Sequence, residues 1–129
     1  MGVILNLRFG TLAIYDRYII AEIKEGIVLS HEHHDVLDQI AKTYFHDTTF
    51  VYITHRIHSY TVNPMIYART AKLSNLVGFA YVSKHKLSLA SAQLETMFLK
   101  KAHYMGGSLE DAIQWANGIT KKGEYLVLH

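Results

Sequence analysis

Apolar positions fall in short β-prone runs through the first quarter of the chain, then settle into a rhythm of helical and strand-like segments. "VILNLRF" and "TLAIYD" are split by Gly10, and "RYIIAEI" follows a candidate hairpin turn at Asp16-Arg17. Gly26 closes that stretch. Ser30 is placed to cap a helix in which Val36, Leu37, Ile40, Ala41 and Tyr44 recur at helical spacing, with Asp35, Asp38, Gln39 and Lys42 opposite. "TTFVYITH" is a compact β-branched run and predicts a buried strand. Asn63-Pro64 then opens a second helix, since asparagine caps and proline suits a first helical turn. Met65, Ile66, Arg69 and Leu73 share one face of it. "LVGFAYV" predicts another buried strand, and "SLASAQLETMFLKK" a helix with Leu87, Ala90, Leu94, Met97 and Phe98 as its stripe. "AHYM" suits a short strand. Ser108 and Asp111 form a variant capping box for a last helix carrying Leu109, Ala112, Ile113 and Ala116, with Gly118 as its expected end. "EYLVL" is left either to add a terminal strand or to pack.

Strands that alternate with helices, the inner ones largely apolar, imply a sheet covered by helices. The expected fold is one α/β domain over residues 1–129: a mixed sheet with an N-terminal antiparallel hairpin and about four helices, its crossovers right-handed. Ligands and partners of such sheets meet the loops at the carboxyl ends of the strands. "THRIHSYTVNP" leaves the carboxyl end of a central strand and enters a helix, so it is the first candidate surface.

Composition narrows the choice. The 129 residues are half hydrophobic, enough for a core without staples. The absence of cysteine excludes disulfides, thiol catalysis and cysteine-ligated zinc. A net charge of +2, from 13 basic and 11 acidic side chains, argues against a nucleic-acid partner, and the nearest basic clusters are the pairs Lys100–Lys101 and Lys121–Lys122. No apolar stretch approaches the ~18 residues of a membrane helix. "MGVILNLRFG" lacks a basic segment ahead of its apolar block, which argues against a signal peptide. Asn6 stands where a myristoylation signal carries serine or threonine. The expected setting is the cytoplasm.

Candidate chemistry concentrates at the junction. A helix start offers unpaired N–H groups and partial positive charge to an anion, and His55, Arg56 and His58 add donors beside it. Ser59, Tyr60, Thr61 and Asn63 complete the candidate binding or docking set, with Ser59 and Thr61 as candidate phosphosites beside Arg56. The plain alternative is a capped helix behind a solvated loop. "SHEHHD" approaches the zinc-helix motif H-E-x-x-H, but its fifth position is Asp35. His31, His34 and Asp35 are weak metal candidates, because a third and fourth ligand must come from elsewhere. No nucleophile elbow, phosphate loop or placed carboxylate pair is present. Gly106-Gly107 ahead of Ser108 is able to approach an anion with its backbone, although a turn is the commoner meaning. Trp115, Tyr104, Phe98 and Met97 either line an apolar cavity or form plain core.

The element order, the strand "FVYITH" feeding a loop and helix, and the closing "SLEDAIQWANGI" resemble a STAS domain over roughly residues 10–120. That is the fold of bacterial anti-sigma-factor antagonists, and the chain more closely resembles uncharacterised bacterial proteins grouped with STAS and CRAL-TRIO lipid-transfer domains. Antagonist STAS domains carry D-S-[ST]-G at the start of the helix after this strand, and its serine is phosphorylated. The matching positions here read Thr61-Val62-Asn63-Pro64, with no serine at the phosphorylated place. The resemblance implies a non-enzymatic regulatory or protein-interaction module without a cofactor, docking a protein partner through Thr54–Met65. The alternative is a binder of a small anionic or lipid-like ligand between that helix and the sheet. Exposed apolar faces also suit a homodimer.

Overall fold

A computed structural model describes residues 2–58, 60–85 and 101–127. Three strands open it, β1 (Val3–Leu7), β2 (Gly10–Ile14) and β3 (Tyr18–Ile23), followed by the two-residue β4 (Val28–Leu29) and helix α1 (His31–Thr43). Next come β5 (Phe50–His55), the short β6 (Thr61–Val62), helix α2 (Pro64–Thr70) and β7 (Leu76–Val82). β8 (Ala102–Gly106) and helix α3 (Leu109–Val127) close the described chain. The predicted helix over 88–101 lies, apart from Lys101, outside the described residues, which hold three helices.

The main sheet runs β1-β2-β3-β5-β7-β8. β1, β2 and β3 form an antiparallel meander, while β3–β5, β5–β7 and β7–β8 are parallel pairs. The mixed sheet with its antiparallel N-terminal hairpin is therefore as the sequence pattern implies. Parallel pairing brings the carboxyl ends of β3, β5, β7 and β8 to one end of the molecule. β4 and β6 pair separately and in parallel, Val28 with Thr61 and Leu29 with Val62.

Side-chain alternation divides the core. Leu12, Ile19, Ile23, Phe50, Tyr52, Phe79 and Tyr81 pack with Leu37, Ile40 and Ala41 of α1 and Ile66 of α2. On the opposite face Val51, Ile53, Ala80 and Val82 pack against Ala112 and Ala116 of α3. Small residues on both sides let α3 lie close: a Cβ at Gly78 would stand 2.7 Å from Ile119 Cδ1 and 2.9 Å from Trp115. Trp115 and Tyr104 belong to this second core, with ring centroids 6.0 Å apart. Both are partly buried and pack against the core, closer to the second of the two readings, and Met97 and Phe98 lie outside the described residues.

Helix α3 corrects one expectation. It runs through Gly118 to Val127, so "EYLV" is helical rather than a strand. The apolar stripe continues past the glycine. Ile119 packs on the sheet, and buried Thr120 donates from Oγ1 to the Ala116 carbonyl at 2.9 Å. A glycine inside a helix costs only about 1 kcal/mol against alanine, which this packing outweighs. A Cβ at Gly118 meets nothing within 4 Å. Gly118→Ala is accordingly expected to raise stability by about 0.5–1 kcal/mol in urea denaturation.

Candidate functional site

The alternation of β5 sends Tyr52 and Thr54 toward α1 and α2, and Val51 and Ile53 toward α3. Past His55 the ladder gains one more rung, with Arg56 N–H donating to the Val82 carbonyl at 2.8 Å. The chain then turns, Ile57 N–H donating to the His55 carbonyl at 3.1 Å. The far end of the loop is pinned as well: Thr61 N–H donates to Ile27 O (2.9 Å) and Asn63 N–H to Leu29 O (3.0 Å). The segment between strand and helix is thus a strap fastened at both ends. Asn63 caps α2 as expected, its Oδ1 accepting from Met65 N–H at 3.0 Å. That helix has only seven residues, and its cap already occupies one of its first donors.

Beneath the strap lies a polar cluster. The Arg56 guanidinium carbon sits 4.8 Å from the ring centroid of Tyr60 and 5.4 Å from that of Tyr81, held between two aromatic faces. The hydroxyls of Tyr60 and Thr54 share a hydrogen bond. Deeper in, His33 Nε2 and the Tyr52 hydroxyl are 2.9 Å apart. Burial, reinforced by neighbouring His34, pushes the His33 imidazole down to about 4, so it is neutral at pH 7. Burial also holds the Tyr52 phenol well above its ordinary value. These residues, with Leu29, Val62, Ile66 and others, line a cavity of about 20 Å³. That is room for about one water, against the ~300 Å³ or more of ligand pockets. The space between α2 and the sheet therefore has no room for a lipid chain.

The expected site residues separate into distinct settings. His55 is half-buried with Nδ1 3.5 Å from Glu22 Oε1, and His58 is exposed, 3.8 Å from Glu25 Oε2. Tyr60 turns inward onto Arg56, whereas Thr61 stands exposed on β6. Ser59 lies outside the described residues. His31, His34 and Asp35 do not gather around one point. Arg69 donates to His31 Nδ1 (2.8 Å) and to Asp35 Oδ1 (3.2 Å), while His34 Nδ1 is 3.3 Å from Thr70 Oγ1. A guanidinium stands between two of the three would-be ligands. His34 is itself buried, and burial together with Arg69 lowers its imidazole pKa. Among the described residues no group of three histidine, cysteine, aspartate or glutamate side chains is placed to hold a metal.

A second, larger space opens on the other side of Arg56. Its volume is about 330 Å³, and it is lined by His55, Arg56, Ile57, Val82, Ser83, Lys84, His85 and Gly107. These residues end or follow β5, β7 and β8. Ser83 is buried; its N–H donates to the Gly106 carbonyl at 3.0 Å, and its Oγ accepts from His85 N–H at 3.1 Å. Ser83, Lys84 and His85 escape the sequence reading, although they follow "LVGFAYV" as directly as Arg56 follows β5.

No family model and no curated protein matches the chain. Among solved structures it is similar to an uncharacterised protein of the DUF3478 family from Shewanella loihica PV-4, described as having a SpoIIAA-like fold. The two are 13% identical, with a TM-score of 0.52, and the match covers 90% of this chain and 92% of that one. At that identity the likeness concerns the fold alone. The chain has the SpoIIAA-like fold, which is the STAS fold anticipated from its element order. No described helix is long and apolar enough to cross a membrane.

Proposed function

We propose that this chain is a non-enzymatic regulatory module of STAS type that docks a protein partner through the strap between β5 and α2. The observation that carries the reading is exposure of large apolar side chains at the carboxyl end of the sheet. Val28 is 62% exposed, Ile57 53% and Met65 65%. Val28 pairs with Thr61, which lies four residues from both Ile57 and Met65. Apolar side chains left in water on a pinned backbone suit a binding surface, because little ordering entropy remains to be lost on association. The buried polar groups below are engaged with one another around a water-sized cavity, which supports a structural role for them. Thr61, exposed on the same strap, is the candidate phosphosite within the described residues. A phosphate there adds nearly two negative charges to the docking surface.

The test is recovery of the tagged protein, at native level, from the cells it comes from. A discrete protein is expected to copurify with the wild type. With the doubly substituted Ile57→Glu, Met65→Glu chain its yield should fall at least about tenfold, the loss of two apolar anchors. Thermal melting should be nearly unchanged, since both side chains are exposed. Equal recovery with the folded double variant, or no discrete partner with the wild type, contradicts the reading.

A further inference from the structure

The 330 Å³ cleft beyond Arg56 has the position, size and chemistry of a ligand site, and it overlaps the docking surface at Ile57. Three parallel strands end around it, the place where open α/β sheets bind small molecules. Its volume lies in the range of small-molecule pockets. Its lining brings together Lys84, Arg56 and the imidazoles of His55 and His85, with no acidic side chain among the described lining residues. Among the described residues no carboxylate is paired with Lys84. Glu22 stands 3.5 Å from His55 Nδ1 and offsets part of the positive charge of Lys84 and Arg56. Gly107 adds main chain, leading through Ser108 into the first turn of α3. There the Ser108 hydroxyl accepts from Asp111 N–H at 3.2 Å. Glu110 and Asp111 are exposed in that turn, and neither lines the cleft. Ile57 and Val82 supply an apolar wall.

We infer that this cleft binds a small phosphate monoester. Its phosphoryl oxygens would meet Lys84, the imidazoles and the Gly107 main chain, and its short organic part would lie against Ile57 and Val82. The charge and donor set selects a compact multivalent anion. The volume exceeds what inorganic phosphate fills and leaves room for a few carbon atoms. The inference does not rest on the docking proposal: Ile57 serves both, but Lys84, His85 and Gly107 line the cleft alone, and Met65 and Val28 are not part of it.

The test is an amide chemical-shift titration of the whole chain with glycerol 3-phosphate and, separately, inorganic phosphate, at constant ionic strength held with chloride. Saturable shifts are expected at Lys84, His85 and Gly107, with glycerol 3-phosphate the tighter of the two. Lys84→Glu, at an exposed position, should keep the fold and weaken binding by roughly tenfold or more, the loss of a charge-assisted contact. Lys72→Glu, remote from the lining residues, and Met65→Glu should leave the affinity unchanged. Equal affinity for the two ligands would overturn the organic part of the proposal. Absence of saturable shifts, or shifts that survive Lys84→Glu, would overturn all of it. A failure here, while the wild type still recovers a partner that the Ile57→Glu, Met65→Glu chain loses, strikes the cleft alone; an intact titration with no wild-type partner, or with equal recovery by the double variant, strikes the docking surface alone.

Discussion

Gly10→Ala is expected to destabilise the domain by about 3 kcal/mol, the sum of backbone strain and an unrelieved clash. Gly10 begins β2 at φ +154°, where L side chains are rare, and pairs with Ile23 across the β2–β3 ladder. A Cβ there would stand 2.2 Å from the Glu22 carbonyl oxygen and 2.9 Å from Ile23 Cα. Both obstacles are main chain, so no side-chain rotation relieves them. The displaced segment is the carboxyl end of β3, and the damage should reach the end of the sheet where the strap and cleft lie. Urea denaturation followed by circular dichroism measures the change. A loss below about 1 kcal/mol, the ordinary cost of a surface substitution, would mean that the two strands separate more easily than this register allows.

Acidification supplies the second large effect. His33 titrates near 6.5 when unfolded and at about 4 in the fold, because burial penalises its cation. Between those values the unfolded chain binds a proton that the folded chain refuses, so stability is full above pH 6.5 and falls as pH drops toward 4. The shift corresponds to about 3 kcal/mol lost across that window. Carboxylates contribute a slope of their own toward the acid end, so the clean readout is a difference between proteins. His33→Leu should lower stability at pH 7, because Tyr52 loses its hydrogen-bond partner. It should also flatten the dependence between pH 6.5 and 4 relative to wild type. Parallel curves for the two proteins would show that His33 does not resist protonation.

How much of this was readable in the chain depended on the length scale of the signal. β3, β5 and β7 are visible because apolar runs of six or seven residues, rich in β-branched and aromatic side chains, mark strands by composition and length. β4 and β6 are not, because two residues have no period and their pairing is a contact between positions 28–29 and 61–62. That pairing converts an apparent loop into a strap. The helical stripe of α1 shows Leu37, Ile40 and Ala41, but burial of both His33 and His34 follows from α2 and the sheet closing over the first turn. Gly118 looks like a helix end because glycine so often is one, and the packing of Ile119 and Thr120 decides otherwise. The SpoIIAA-like architecture was legible from element order together with "FVYITH" feeding a loop and helix and the closing "SLEDAIQWANGI". The cleft was not. Lys84 and His85 become neighbours of His55 and Gly107 only when β5, β7 and β8 stand parallel and end at one level, and register of that kind is set by tertiary pairing.

The most direct measurement is site-specific photo-crosslinking in the cells that make the protein. A photoreactive residue would replace Ile57 or Met65 at the carboxyl end of the sheet. Asp16 or Asn117, which line a separate space of about 280 Å³ at the opposite end, would serve for comparison. The docking account predicts a discrete protein adduct from positions 57 and 65 and none from 16 and 117. Adducts confined to 16 and 117 would place the working surface at the other end of the sheet and contradict it.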